Sequence, residues 1–535
     1  MLVEEGIVSG PSSSHAEQAA RDDALLRSLG IKPELQRTLG FLSNFAVAFS
    51  YISVSTGTYT LIALGLGVGG PAFIWSWPLV VLGQTFVALN FAELASHFPV
   101  AGSIYQWSKR LSHKTLGWFT GWFYFWAGVL TVTAVAATVP LVLSAIFNFA
   151  LSDPSPIPAL NNLVFWGLIS LITTTMINAF GVRLLAIINN LGVAAEILGM
   201  LVFAVILLIV GRQQDVSVLM TTAGLETAET GGYLPIFAIA MFMSLFVVYG
   251  FDTAGTFGEE TLDASRQAPR GILTAIWLSG AVGFVFLLAI VLGIPDLAAS
   301  FADPAPIATS IKAGLGEQLG GIYLYVILAA VYVCTMAIQG ATTRLLFSMG
   351  RDRRVPLGAT WGHVSHQFRT PANAAVAVGV LAAIPFLVTD SPVLLAAGAT
   401  GLIYLSYFLC NLGVFAARRK GWPHKGSWFS LGSWGTIINI AALLWGGSMI
   451  VNFGLWSDAS LFGNFGGDLR DYTNPSLTLL TSGGQSISWL PDIPFFEASI
   501  LLILVVGVVY YFATGQGGKV DQMEADAATG EAVIA

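Results

Sequence analysis

Charge is the scarcest property of this 535-residue chain: Asp, Glu, Lys and Arg together make up 10% of it, against about a quarter in soluble domains. With 55% apolar residues and a mean hydropathy of +0.75, a soluble globular fold is excluded. Cysteine is nearly absent. Cys334 and Cys410 both fall inside apolar runs and suggest neither a disulfide framework nor a metal site. The six histidines, His15, His97, His113, His363, His366 and His424, lie outside the apolar interiors, so a metal or His-based centre within a membrane would have no ligands. No HExxH, GxxxxGK[ST] or GxSxG stands where it could work. Gly65, Gly67 and Gly70 have GxGxxG spacing but join two apolar runs rather than a strand and a helix, which excludes a dinucleotide site. No nucleophile, base and orienting group converge, so the chain is not expected to be an enzyme. Neither a metal, a cofactor nor a nucleic-acid partner is expected.

What is present is a series of apolar runs near twenty residues, the length that crosses a bilayer as a helix. Twelve are read, near 39–66, 72–97, 116–148, 162–181, 185–211, 233–258, 271–294, 320–350, 373–389, 392–417, 432–454 and 494–514. The chain is thus expected to be an all-α polytopic membrane protein. The first run begins near residue 39 and is long enough to span, so no cleavable signal peptide is expected. With the N-terminus inside, twenty Lys and Arg lie on the inner side and three, Arg212, Lys312 and Arg470, outside. Orientation follows Lys and Arg rather than net charge, so this asymmetry outweighs the net −7 and predicts both termini cytoplasmic. Residues 1–38 form a polar tail expected to be disordered apart from a short amphipathic piece at Asp22–Leu29. A long outer loop at 455–493 is expected to fold over the outer mouth, and 515–535 reads as a free acidic tail.

The sixth run carries the sharpest signal. From Phe237 to Pro269 it is interrupted by Gly250, Asp252 and Gly255 and closed by Glu259 and Glu260. A break at membrane depth frees backbone N–H and C=O groups, tolerated only inside protein or beside a water-filled cavity. An intramembrane acid is a functional-site hypothesis by default; the alternative is a kinked helix whose Asp252 bonds a neighbour. The first run is interrupted as well, at SYISVSTGTYTLIALG from Ser50 to Gly65. Two broken hydrophobic segments in corresponding positions of two halves point to a secondary transporter's binding site.

Glu196 is the second deep acid. At 1.5 Å rise per residue from Leu185 it lies about 16 Å in, near the middle of a core about 30 Å thick. It is positioned to carry a proton, or otherwise to bond a neighbouring helix. Glu93, Glu259 and Glu260 sit at inner span ends and read as gate or loop ion pairs, with Arg110, Arg266 and Arg351 as partners. Gly117 and Gly121 read as helix packing.

Three stretches carry a family resemblance: FVVYGFDTAGTFGEETLDASRQAPRGI (246–272), NFAELASHFPVAGSIYQW (90–107) and TTRLLFSMGRDRRVPLGATWGHVSHQFRTPANA (342–374). They resemble signature regions of the amino acid/polyamine/organocation permease superfamily, most closely its amino acid/choline branch. The resemblance implies five helices repeated upside down, spans 1–10 over residues 39–417 as the transport core, and spans 11 and 12 within 418–514 as additions. It implies a substrate at the breaks in spans 1 and 6. Ser55, Thr56, Gly57 and Thr58 would offer amides to a carboxylate, Tyr249, Gly250, Phe251 and Asp252 carbonyls to an ammonium, and Phe246 would be an aromatic gate. Exposed helix N-termini favour anions and unwound carbonyls favour cations. One departure stands out: where proton-coupled relatives carry a lysine six residues after the asparagine pair matching Asn189 and Asn190, this chain has Glu196.

The expected function is therefore a secondary transporter that imports an amino acid or amino-acid-like amine across the plasma membrane, driven by H⁺ through Glu196 or by Na⁺. The rival within transport is a permease for choline, ethanolamine or a polyamine. The rival outside transport is a membrane receptor or scaffold on the same fold. Expected partners are the small-molecule substrate and the lipid bilayer; the oligomeric state is left open.

Overall fold

A computed structural model describes residues 11–149, 151, 162–226, 232–301, 303, 305–389, 391–423, 427–455 and 495–518. The expected outer loop and the acidic tail beyond residue 518 lie outside the described residues. Among those described the chain is almost wholly helical. The helices are α1 (Pro11–Ser28), α2 (Phe41–Ile52), α3 (Val54–Gly69), α4 (Ser76–His97), α5 (Ser103–Leu111), α6 (Lys114–Ala136) and α7 (Thr138–Phe147). They continue as α8 (Leu163–Phe180), α9 (Val182–Ile209), α10 (Tyr233–Ala240), α11 (Phe242–Val247), α12 (Thr253–Thr256), α13 (Ala264–Leu292) and α14 (Leu297–Ser300). The last six are α15 (Pro306–Arg351), α16 (Gly358–Trp361), α17 (Ala372–Ala383), α18 (Pro392–Arg418), α19 (Gly435–Leu455) and α20 (Phe495–Ala513).

Nine helices among the described residues are long and apolar enough to cross a membrane, and three shorter apolar helices, Tyr233–Val247, Ala372–Leu387 and Glu497–Ala513, stand where the sequence places the sixth, ninth and twelfth spans. The chain is a polytopic helical membrane protein. Its apolar residues divide as this requires: Leu191, Leu198 and Val202 of α9 and Leu444 of α19 are exposed on the outside of the bundle, while α2 and α3 are buried almost throughout. The two interrupted spans thus run through the centre, with α4, α6, α9, α13, α15 and α18 packed around them. Gly117 and Gly121 pack as expected. A Cβ at Gly121 would lie 2.7 Å from the Tyr105 ring, and one at Gly117 would lie 2.6 Å from the Lys109 backbone, so these glycines let α6 close on α5.

The expected disorder before residue 38 does not hold for the described part. Here α1 is a helix of 18 residues, and Leu26 near its end and Ile31 just beyond it are buried against Val100. The physical reason is an apolar face that the polar composition hides, reinforced by specific bonds. Asp22 accepts from the backbone N–H of Asp263 at 2.8 Å and of Ala264 at 3.4 Å, at the start of α13. Arg37 pairs with Asp23 at 3.0 Å and donates to the Thr261 carbonyl at 3.0 Å. Leu39 then lies alongside Thr261 in a short parallel bridge, with the N–H groups of Thr38 and Leu39 both 3.0 Å from the Glu260 carbonyl.

Candidate functional site

The first break is a single residue. Ser53, between α2 and α3, takes φ 31° and ψ 85°, in the left-handed region that a non-glycine residue adopts rarely. Ser55–Thr58, which the resemblance implies as amide donors to a substrate, form the first turns of α3. The Gly57 N–H is 3.0 Å from the Ser53 carbonyl and so already sits in the helical ladder. What holds the break open is Glu196 from α9. Its Oε1 accepts from the Ser53 hydroxyl at 2.8 Å, the Ser55 hydroxyl at 2.7 Å and the Ser55 backbone N–H at 3.2 Å. A helix starts with N–H groups that lack partners in the preceding turn, and a buried carboxylate serves one of them here. Thr56 adds its hydroxyl 2.6 Å from that of Ser53. Thr58 is buried, and its hydroxyl has no hydrogen-bond partner among the described residues.

The second break is longer. Between α11 and α12 the chain leaves the helix at Val248, and Gly250 takes φ +87°. Only glycine serves there on two counts: the backbone is left-handed, and a Cβ would lie 1.9 Å from the Tyr51 ring. Asp252 follows, fully buried. Its carboxylate accepts from Tyr407 at 2.5 Å, Tyr124 at 2.6 Å and Ser103 at 3.1 Å. The Tyr407 hydroxyl in turn accepts the Gly250 N–H at 2.9 Å, so one side chain of α18 satisfies both an amide freed by the unwinding and the acid beside it. Phe246 stands one turn before, perpendicular to Tyr249 with ring centroids 5.8 Å apart, and Tyr249 reaches the Thr131 hydroxyl at 3.2 Å. Phe251 packs on Tyr407 at 5.5 Å.

The breaks lie side by side. A Cβ on Gly57 would come within 2.6 Å of Val247 Cγ2, so α3 and α11 touch at the level where both spans are interrupted. Ser55, Thr56, Gly57, Phe246, Tyr249, Gly250, Phe251, Asp252 and Glu196 are thereby gathered in one buried region. Sequence reasoning missed Ser53, Ser103, Tyr124 and Tyr407. The last was within reach, since a tyrosine inside the apolar run LIYLSYFLC needs a partner for its hydroxyl. The partner's identity was not.

Acids at the basic end behave differently. Glu260 receives Arg344 through two bonds, at 2.8 and 3.1 Å, and Arg351 holds Glu259 at 2.9 and 3.0 Å. Glu259 also accepts the Ala101 N–H at 2.9 Å. Asp352, which pairs with Lys109, gathers Tyr105 and Gln106 as well. Of the three bases named as partners for these acids, Arg351 lies on one of them, Glu259. The other two expected partners are corrected: Glu93 pairs with Arg418, Arg110 donates to the Leu29 carbonyl at 3.1 Å, and Arg266 lies over the Trp428 ring. Long-range packing decides these pairs, because Arg418 reaches Glu93 from the far end of α18.

Comparison with known proteins agrees with this geometry. The amino acid permease family profile matches residues 39–460. The chain is 30% identical over 459 residues to the amino-acid permease BAT1 homolog of Oryza sativa subsp. japonica, covering 81% of this chain and 87% of that one. It is 25% identical over 459 residues to a putative polyamine transporter of Candida albicans, covering 80% of each. Among solved structures, MhsT in complex with L-phenylalanine superposes with a TM-score of 0.57 at 15% identity, over 79% of this chain and 99% of that one, and so shares the fold. The interrupted helices, the deep acids and the profile across most of the chain lead to one conclusion: the chain belongs to the amino acid permease family.

Proposed function

We propose that the chain is a secondary active transporter that imports an amino acid or an amino-acid-like amine across the plasma membrane by alternating access, coupled to H⁺. The observation that carries this reading is the pair of carboxylates at two adjoining helix breaks, Asp252 and Glu196. Both are held by hydroxyls and an amide, with no basic side chain at ion-pair distance among the described residues. A permanently buried anion is costly; a cation that arrives and leaves gives such anions a purpose. Asp252 and the unwound carbonyls of Tyr249, Gly250 and Phe251 bind the amine, Ser55–Thr58 orient the rest of the substrate, and Phe246 covers it. Glu196 exchanges the proton as its bonds to Ser53 and Ser55 open and close. The basic end, with Glu93–Arg418, Glu259–Arg351 and Glu260–Arg344, faces the cytoplasm together with both termini and forms the closed inner gate. The chemistry is translocation, with no covalent step and no cofactor.

Uptake of labelled amino acids and amines into proteoliposomes under an imposed pH gradient tests the reading. Accumulation that follows the gradient is the expected result. Uptake indifferent to pH but dependent on Na⁺ would transfer the coupling role to a cation held by Glu196 and the Ser53, Ser55 and Thr56 hydroxyls. That second reading is favoured by the crowd of oxygens at the first break. Ligand-induced thermal stabilisation without any counterflow would mark a receptor instead.

A further inference from the structure

The first turn of α3 is the place where a substrate carboxylate is expected to find amide donors, and the structure seats a carboxylate of the chain itself there. Glu196 Oε1 uses the Ser55 N–H at 3.2 Å and the Ser55 and Ser53 hydroxyls at 2.7 and 2.8 Å. The Gly57 N–H is committed to the Ser53 carbonyl. A helix N-terminus prefers an anion, and here that preference is met internally. The neighbouring break adds Asp252, equally buried, and surrounds the region with rings. Tyr51 and Tyr249 are 6.1 Å apart edge to face, and Phe251 and Tyr407 are 5.5 Å apart. Carboxylates and aromatic faces both favour cations. An arriving carboxylate would meet two like charges and find the Ser55 and Gly57 amides taken.

We propose that Glu196 is a specificity-determining residue that stands in for the substrate's carboxylate. The cargo that fits is then an organic amine without a carboxylate, taken in preference to the amino acid of the same side chain. This deepens the transport reading above and rests on it. An amino acid would have to displace Glu196 from Ser53 and Ser55, whereas its decarboxylated counterpart would bind with those bonds intact.

Matched pairs that differ only in the carboxylate decide it. Lysine with cadaverine, and arginine with agmatine, are compared by counterflow in proteoliposomes of the full-length chain. In the wild type the half-saturation concentration of each amine is expected to be at least about tenfold below that of its amino acid. Glu196→Gln keeps a hydrogen-bond acceptor for Ser53 and Ser55 and removes the charge; it is expected to narrow that ratio about tenfold, chiefly by improving the amino acid. A wild type that prefers lysine and arginine would overturn the proposal, as would a ratio unmoved by Glu196→Gln. The wild-type ratio needs no substitution, so a variant that misfolds leaves the test intact. If none of the four compounds is carried or raises the melting temperature, the amine or amino-acid cargo itself falls, and this assignment with it.

Discussion

The basic end and the centre of the bundle both bury acids, and they treat them in opposite ways. At the basic end each of Glu93, Glu259 and Glu260 has an arginine, with Glu260 and Arg344 both removed from solvent. At the centre Asp252 and Glu196 have, among the described residues, hydroxyls and one amide as partners and no base. The difference separates two uses of buried charge. A carboxylate with a guanidinium is neutralised within the protein and can seal, whereas one held only by neutral donors keeps its charge available to something that comes and goes. On the transport function proposed above, the paired acids would serve a closure and the two without a base a binding site.

Removing one partner from a sealed pair should produce the largest loss. Glu260→Ala leaves Arg344 buried without its counter-ion and is expected to cost about 3–5 kcal/mol of stability, read as a lowered melting temperature in detergent; an unchanged melting temperature would erase the distinction between the two regions. At the centre the effect should fall on function. Asp252→Ala is expected to reduce uptake at least about 100-fold, near 2.7 kcal/mol, with expression and helical content kept. Retained uptake, or collapse of the fold, would make Asp252 the same kind of group as Glu260. The smallest expected change belongs to Glu196→Gln. Uptake should respond to pH about tenfold less than in the wild type while ligand-induced stabilisation persists, and a wild-type pH profile would place the coupling group elsewhere.

Much of this organisation was legible beforehand. The apolar runs predicted where long helices form, and Gly250 and Asp252 fell within the sixth break, which opens at Val248; Gly255, read as a further interruption, lies inside α12. The first break was located only to the stretch from Ser50 to Gly65, because nothing in SVSTG says which residue yields. That choice falls to Ser53 once Glu196, from a span 143 residues away, draws in the hydroxyls of the hinge residue itself and of Ser55. The partners of Asp252 were hidden for the same reason: Ser103, Tyr124 and Tyr407 come from three helices, and only packing brings them together. The α1 arm was misjudged because Leu26 and Ile31 are too few to register against its polar composition, yet enough to anchor it once Val100 lies opposite. Periodicity reports what one segment buries, but not against which other segment.

The bridge between Leu39 and Thr261 has a mechanical consequence. Asn44 adds two stitches next to it, reaching the Ala254 carbonyl at 2.8 Å and the Thr261 hydroxyl at 2.9 Å. The pieces α2 and α12 are therefore sewn into one lever, and Asp22 ties the start of α13 to α1. Neither piece can tilt alone. Any displacement of α2 is therefore expected to carry α12 with it, about Ser53 and Gly250, the two residues whose backbone is left-handed at the breaks.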